Sequence, residues 1–178
     1  MVKINPNRST LVLIDLQSRL MPVIHQGEEV LKQSIKISKI AKLLDIPIIG
    51  TEQSPQSLGP NIDAITQFCQ NTVAKNHFDA CQDGLISALS KNREHLILSG
   101  CEAHVCVMQT ALELLRQNFK VSILVDAVGS RRSLDRDIAL HRLGSAGASL
   151  LTVEMLAFEW LETAHHESFK DALEIIKS

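Results

Sequence analysis

Short continuous apolar runs alternate along the chain with longer stretches in which apolar residues recur every three or four positions. Residues 9–15 predict a first strand, buried on both faces because Leu11, Val12, Leu13 and Ile14 are consecutive. Residues 28–44 predict a helix, with Val30, Leu31, Ile35, Ile37, Ile40, Leu43 and Leu44 at helical spacing and Asp45 and Pro47 ending it. A second strand is expected at 46–50, a loop with two prolines and a glycine at 51–61, and a short helix at 62–69. Further strands are expected at 72–74, 96–99, 120–125 and 149–153. Helices are expected at 84–90, 103–117, 133–146, 155–160 and 168–176. Repeated strand–helix units imply an α/β fold, a doubly wound parallel sheet in three αβα layers. No repeat or linker interrupts the pattern, so one domain is expected to cover residues 1–178.

Composition narrows the function classes. The net charge of −2 argues against electrostatic binding of nucleic acid, and 3% aromatics with no Tyr argue against base-stacking platforms. The four cysteines, Cys69, Cys81, Cys101 and Cys106, form no C-x-x-C pair, so reduced thiols in a cytoplasm are expected. The N-terminus lacks the charged-then-apolar layout of a signal peptide. No apolar run reaches the ~18 residues that would predict a membrane span.

Three junctions carry candidate chemistry. Cys106 falls where an apolar run gives way to a helical stretch, and the positive end of a helix dipole favours a thiolate. The bland reading is a buried structural thiol. Asp15 ends the first run; it is either a general base or a cap or salt-bridge partner. Lys75 follows Thr72-Val-Ala and either is solvated or holds charge in an ion network. Backbone N–H groups of the turn from Gly100 to Cys106 are placed to receive an anion.

The runs Leu13-Ile-Asp-Leu-Gln17, Ala74-Lys-Asn-His-Phe78 and Gly100-Cys-Glu-Ala-His-Val-Cys106 resemble the three signature regions of the isochorismatase-like cysteine hydrolases. The resemblance spans roughly residues 9 to 160. It implies an Asp–Lys–Cys triad at Asp15, Lys75 and Cys106. It also implies a cis peptide between Cys101 and Glu102, an oxyanion hole made by the backbone N–H groups of Glu102 and Cys106, and a homo-oligomer. Within the family the chain looks most like the small isochorismatase domain-containing proteins, through the Thr-Glu-Gln loop in residues 50–59 and the segment from Val125 to Arg131. The family's nicotinamidases carry a metal site with an Asp-x-His-His cluster. That cluster is missing here, and His165-His166 near the C-terminus has no ligand spacing, so neither metal nor cofactor is expected.

Substrate contacts are expected from Gln17, Gln53, Phe78 and His104, with structural readings open for each; Glu52 follows the second strand and Asp126 ends another, pairing with Arg131 or capping a turn. His104 is two residues from Cys106, too poorly placed on a helix to act as its base. The helical tail from Met155, with Leu156, Phe158, Trp160 and Leu161, covers either its own sheet or a neighbour. The leading expectation is metal-independent hydrolysis of a small amide through a thioacyl intermediate. The alternatives are cleavage of a vinyl ether, as in isochorismatases, and a binding protein that keeps an inactive pocket.

Overall fold

The computed structural model describes residues 3–178. Six strands form one parallel sheet: β1 (Ser9–Ile14), β2 (Ile48–Gln53), β3 (Asn71–Lys75), β4 (His95–Cys101), β5 (Lys120–Gly129) and β6 (Ser149–Leu151), in the order β3-β2-β1-β4-β5-β6. Among the described residues eight α-helices accompany them: α1 (Gly27–Leu43), α2 (Pro55–Leu58), α3 (Asp63–Thr66), α4 (Leu85–Ala88), α5 (Met108–Arg116), α6 (Ser133–Ser145), α7 (Val153–Leu161) and α8 (Phe169–Lys177). The doubly wound α/β expectation holds. Among the described residues no helix is long and apolar enough to cross a membrane.

The sequence of β1 explains the layering. Its side chains alternate between faces, so a run that is apolar at every position serves two cores at once. Leu11 and Leu13 pack with Ile37 and Ile40 of α1 and Trp160 of α7. Val12 and Ile14 pack with Leu114 of α5 and Leu143 of α6 on the other side. The tail meets the first of its two readings: Leu156, Trp160 and Leu161 are buried on their own sheet, and of the apolar residues of α7 only Met155 and Phe158 stay exposed.

Strand order fixes where a site can form. From β1 the chain winds outward through β2 and β3, then returns to place β4 on the other side of β1. The helices change faces at that point, and in open α/β sheets the carboxyl ends of the strands at such a switch are where ligands bind. β1 and β4 approach closely at this end. Gly100, paired with Ile14, has φ +119°, and a Cβ there would lie 1.9 Å from the carbonyl oxygen of Ile14.

Several strands run further than their apolar cores predict. β2 continues through Thr51, Glu52 and Gln53 into the expected loop, paired with β3 from Ile49↔Asn71 to Gln53↔Lys75. β4 reaches Cys101 and β5 reaches Gly129. The expected helix at 103–117 divides into a π-helical turn, Ala103–Val107, and α5. That turn is held by the N–H groups of Val105 and Val107, both donating to the carbonyl of Glu102 at 3.0 and 3.2 Å. The expected helix at 84–90 is the shorter α4, preceded by a 3₁₀ turn at Ala80–Asp83.

Candidate active site

Asp15, Lys75 and Cys106 stand at the carboxyl ends of β1 and β3 and in the π-helical turn after β4. Asp15 follows a strand with no exposed residue and is itself fully buried, with φ +50°, a left-handed backbone that Asp tolerates better than most side chains. A lone carboxylate there would be costly. Two neighbours satisfy it. Lys75 Nζ lies 2.7 Å from Oδ2, and Thr51 Oγ1 donates to Oδ1 at 2.6 Å. Apart from the ion contact with Lys75, Oδ2 receives no hydrogen bond, so that oxygen has capacity for a proton.

Gln53 ties the thiol to this pair. Its Oε1 accepts from Lys75 Nζ at 2.7 Å and lies 3.8 Å from Cys106 Sγ. Its Nε2 donates to the carbonyl of Asn76 at 2.9 Å. Ammonium and thiol therefore meet around one amide oxygen, and the Asp15 carboxylate and Lys75 ammonium both act on the thiol as side-chain hydrogen-bond partners. The surroundings are dry: Lys75 is 1% exposed and Cys106 6%. Burial pushes the Cys106 thiol up to about 12, with the Asp15 carboxylate adding to the rise and the Lys75 ammonium opposing it. The helix-dipole expectation of a resting thiolate is therefore corrected. Desolvation outweighs the dipole, and the π-helical turn puts the thiol ahead of the first residue of α5.

The turn carries the cis peptide between Cys101 and Glu102 that the family resemblance implies. The Glu102 side chain accepts from Arg131, from its backbone N–H at 3.2 Å and from Nε at 2.9 Å. Asp126, offered above as the partner of Arg131 or as a cap, takes the second role and accepts the N–H of Val153 at 3.0 and 3.1 Å.

The expected substrate contacts separate. Gln53 belongs to the cluster. Gln17 is fully buried with its amide spent on backbone: Nε2 donates to the carbonyls of Gln53 and Gly59 at 3.0 and 2.6 Å, and Oε1 accepts the N–H of Gln53 at 2.9 Å. It braces Gln53 and has no polar atom left for a ligand. His104 is half-buried, with Nδ1 2.9 Å from Ser130 Oγ. Phe78 is 51% exposed, at the surface and outside the buried cluster. Glu52 is occupied with the loop and accepts the N–H of Asn61 at 2.8 Å.

Thr51 and Asp83 were not singled out from sequence. Thr51 alternates with Gln53 on β2, and the period-two spacing of two polar residues on one face was the available signal. Asp83 accepts the N–H groups of Asn76 and His77 at 2.8 and 2.9 Å and so fixes the segment that follows Lys75. Those backbone bonds, led by that of His77, hold its carboxyl below the usual carboxylate range. It had no sequence signal.

Known proteins match over almost the whole chain. The isochorismatase domain family matches residues 9–155. The mouse isochorismatase domain-containing protein 2A is 35% identical over 181 residues, covering 98% of this chain and 85% of its own. A solved structure described as the MAR1 ribonuclease of Caenorhabditis elegans superposes with a TM-score of 0.94 at 33% identity, covering 99% of this chain and 93% of that one. The YcaC product of Escherichia coli, described as an octameric hydrolase of unknown specificity, shares the fold with a TM-score of 0.87 at 21% identity, covering 99% and 96%. The chain belongs to the isochorismatase family.

Proposed function

We propose that this isochorismatase-family member is a metal-independent cysteine hydrolase that cleaves the C–N bond of a small amide. The observation that carries the reading is the convergence of Cys106, Lys75 and Asp15 in one buried cluster. Asp15 Oδ2 takes the Cys106 proton as the thiol attacks the carbonyl carbon and the C–S bond forms. The buried ammonium of Lys75 stabilises the negative charge passing between sulfur and carboxylate. Oxygen charge on the tetrahedral adduct rests on the backbone N–H groups of Glu102 and Cys106. The C–N bond breaks, and the amine leaves with the proton held by Asp15. Water, deprotonated by Asp15, then cleaves the thioester and returns the thiol. Gln53 holds the ammonium in place, and Gln17, Thr51 and Asp83 position Gln53, Asp15 and the Lys75 segment.

The reading includes one domain over residues 1–178, a cytoplasmic setting that keeps Cys106 reduced, and self-association like that described for the E. coli relative. Intact-mass analysis of the protein mixed with a panel of small amides tests the chemistry. A thioacyl adduct confined to the Cys106 peptide is expected. Turnover with no Cys106 adduct detectable after rapid acid quenching would contradict it.

The description of the C. elegans relative favours a second reading, cleavage of RNA. A polymer must bring its backbone to the catalytic groups, and here those groups are almost wholly withdrawn from solvent. The chain's net charge of −2 also gives no broad attraction for phosphates. RNA degradation that disappears in Cys106→Ala would favour this second reading over the amide.

A further inference from the structure

The apolar residues of α6 divide into two sets. Ala139, Leu140 and Leu143 are buried against the sheet. Leu134 and Ile138, one turn apart, are 56% and 62% exposed, the two most exposed large apolar side chains among the described residues. They border a surface cavity of about 320 Å³ whose lining also includes Met108, Asp135, Ala139 and Arg142. A solvated helix face normally carries polar residues at such positions, and exposed apolar side chains grouped on one face mark an interaction surface.

The charges on that face say what covers it. Asp135 has only a distant contact, 3.9 Å to Arg132 Nε. Arg142 makes no ion pair among the described residues, where its guanidinium's one polar contact is Met108 Sδ, at 3.9 Å. The two lie seven residues apart, about 10 Å along the helix, on either side of Ile138 and Ala139. Turning the helix by half a revolution about an axis between Ile138 and Ala139 exchanges its ends. Asp135 then meets the partner copy's arginine at position 142, twice over, and the exposed Ile138 side chains of the two copies lie beside the axis. A face that carries both signs symmetrically about an apolar centre is complementary to itself.

We propose that two copies of this chain pair through α6, antiparallel about a two-fold axis at Ile138–Ala139. This deepens the self-association in the functional reading and is independent of its chemistry.

Sedimentation velocity over a range of protein concentrations tests it, with circular dichroism confirming that each variant is folded. The wild type is expected to be dimeric or larger. Ile138→Glu is expected to weaken the pairing by at least about thirtyfold, as for a central interface residue. Asp135→Arg and Arg142→Asp each place like charges together and are expected to dissociate the pair. An equimolar mixture of these two variants restores opposite charges at both ends and is expected to associate. A monomeric wild type would overturn both this interface and the self-association. An assembly unchanged by Ile138→Glu, or single charge variants that stay apart on mixing, would overturn the α6 interface alone.

Discussion

Lys75 Nζ lies 2.7 Å from Asp15 Oδ2, and neither side chain reaches solvent. Ions removed from water this completely depend on one another, because each would be left uncompensated without its partner. Lys75→Met is expected to lower unfolding free energy by about 3–5 kcal/mol, and Asp15→Asn/Lys75→Met to lose less than the sum of the single variants. Urea denaturation measures both. A loss below about 1 kcal/mol for Lys75→Met would place the pair in solvent instead.

The close approach of β4 to β1 separates two glycines. Gly100→Ala would press a Cβ to within 1.9 Å of the Ile14 carbonyl oxygen, so loss of soluble folded protein is expected. Gly84 also has positive φ, at +104°, but nothing lies within 4 Å of its Cβ position. Gly84→Ala therefore adds only backbone strain, about 1–2 kcal/mol. Thermal unfolding of the two variants side by side checks the contrast, and a well-folded Gly100→Ala protein would refute it.

Cys106 is a thiol at rest, with its ionisation pushed up to about 12, first by burial. Iodoacetamide is expected to modify it more slowly at neutral pH than an ordinary cysteine near ~8.5, with a rate that keeps climbing past pH 10. The Lys75 ammonium lowers this ionisation, so Lys75→Met is expected to slow alkylation further. Peptide mapping of the labelled site follows the rates. A plateau below pH 9 in the wild type would be the wrong sign.

His95, at the opposite end of β4, titrates at about 4 because burial disfavours its charged form, assisted by Lys120. The unfolded chain binds that proton near 6.5, so His95 costs no stability above that value and destabilises the fold as pH falls from 6.5 toward 4. Replacement by Gln, whose amide can still bond Ser122 Oγ where Nε2 now lies at 2.8 Å, is expected to flatten part of this decline. Melting temperatures from pH 7 to 4 report it, and parallel curves for the two proteins would contradict it.

Much of the fold was legible because apolar runs report burial directly. Leu11 to Ile14 gave β1 with both faces covered, and the segment ending at Cys106 gave the return to β4. The polar ends of the strands were harder. Thr51, Glu52 and Gln53 look like a loop, yet they extend β2, because Thr51 and Gln53 bury their polarity on Asp15 and Lys75. A strand whose polar groups are satisfied inside a site carries the same residues as one that ends in solvent. The π-helical turn was hidden for a related reason: over five residues, Ala103–Val107, its apolar spacing matches an α-helix. The resting state of Cys106 was misjudged because sequence shows the helix that follows it but not the walls that dry it.

The most direct test of the central claim is the turnover of Cys106→Ala on a verified substrate, with folding confirmed by circular dichroism. Loss of a nucleophile predicts a fall in kcat of at least about a thousandfold. Retention of wild-type kcat would mean that sulfur forms no bond to the substrate, and the hydrolase would have to work through Asp15 and Lys75 alone.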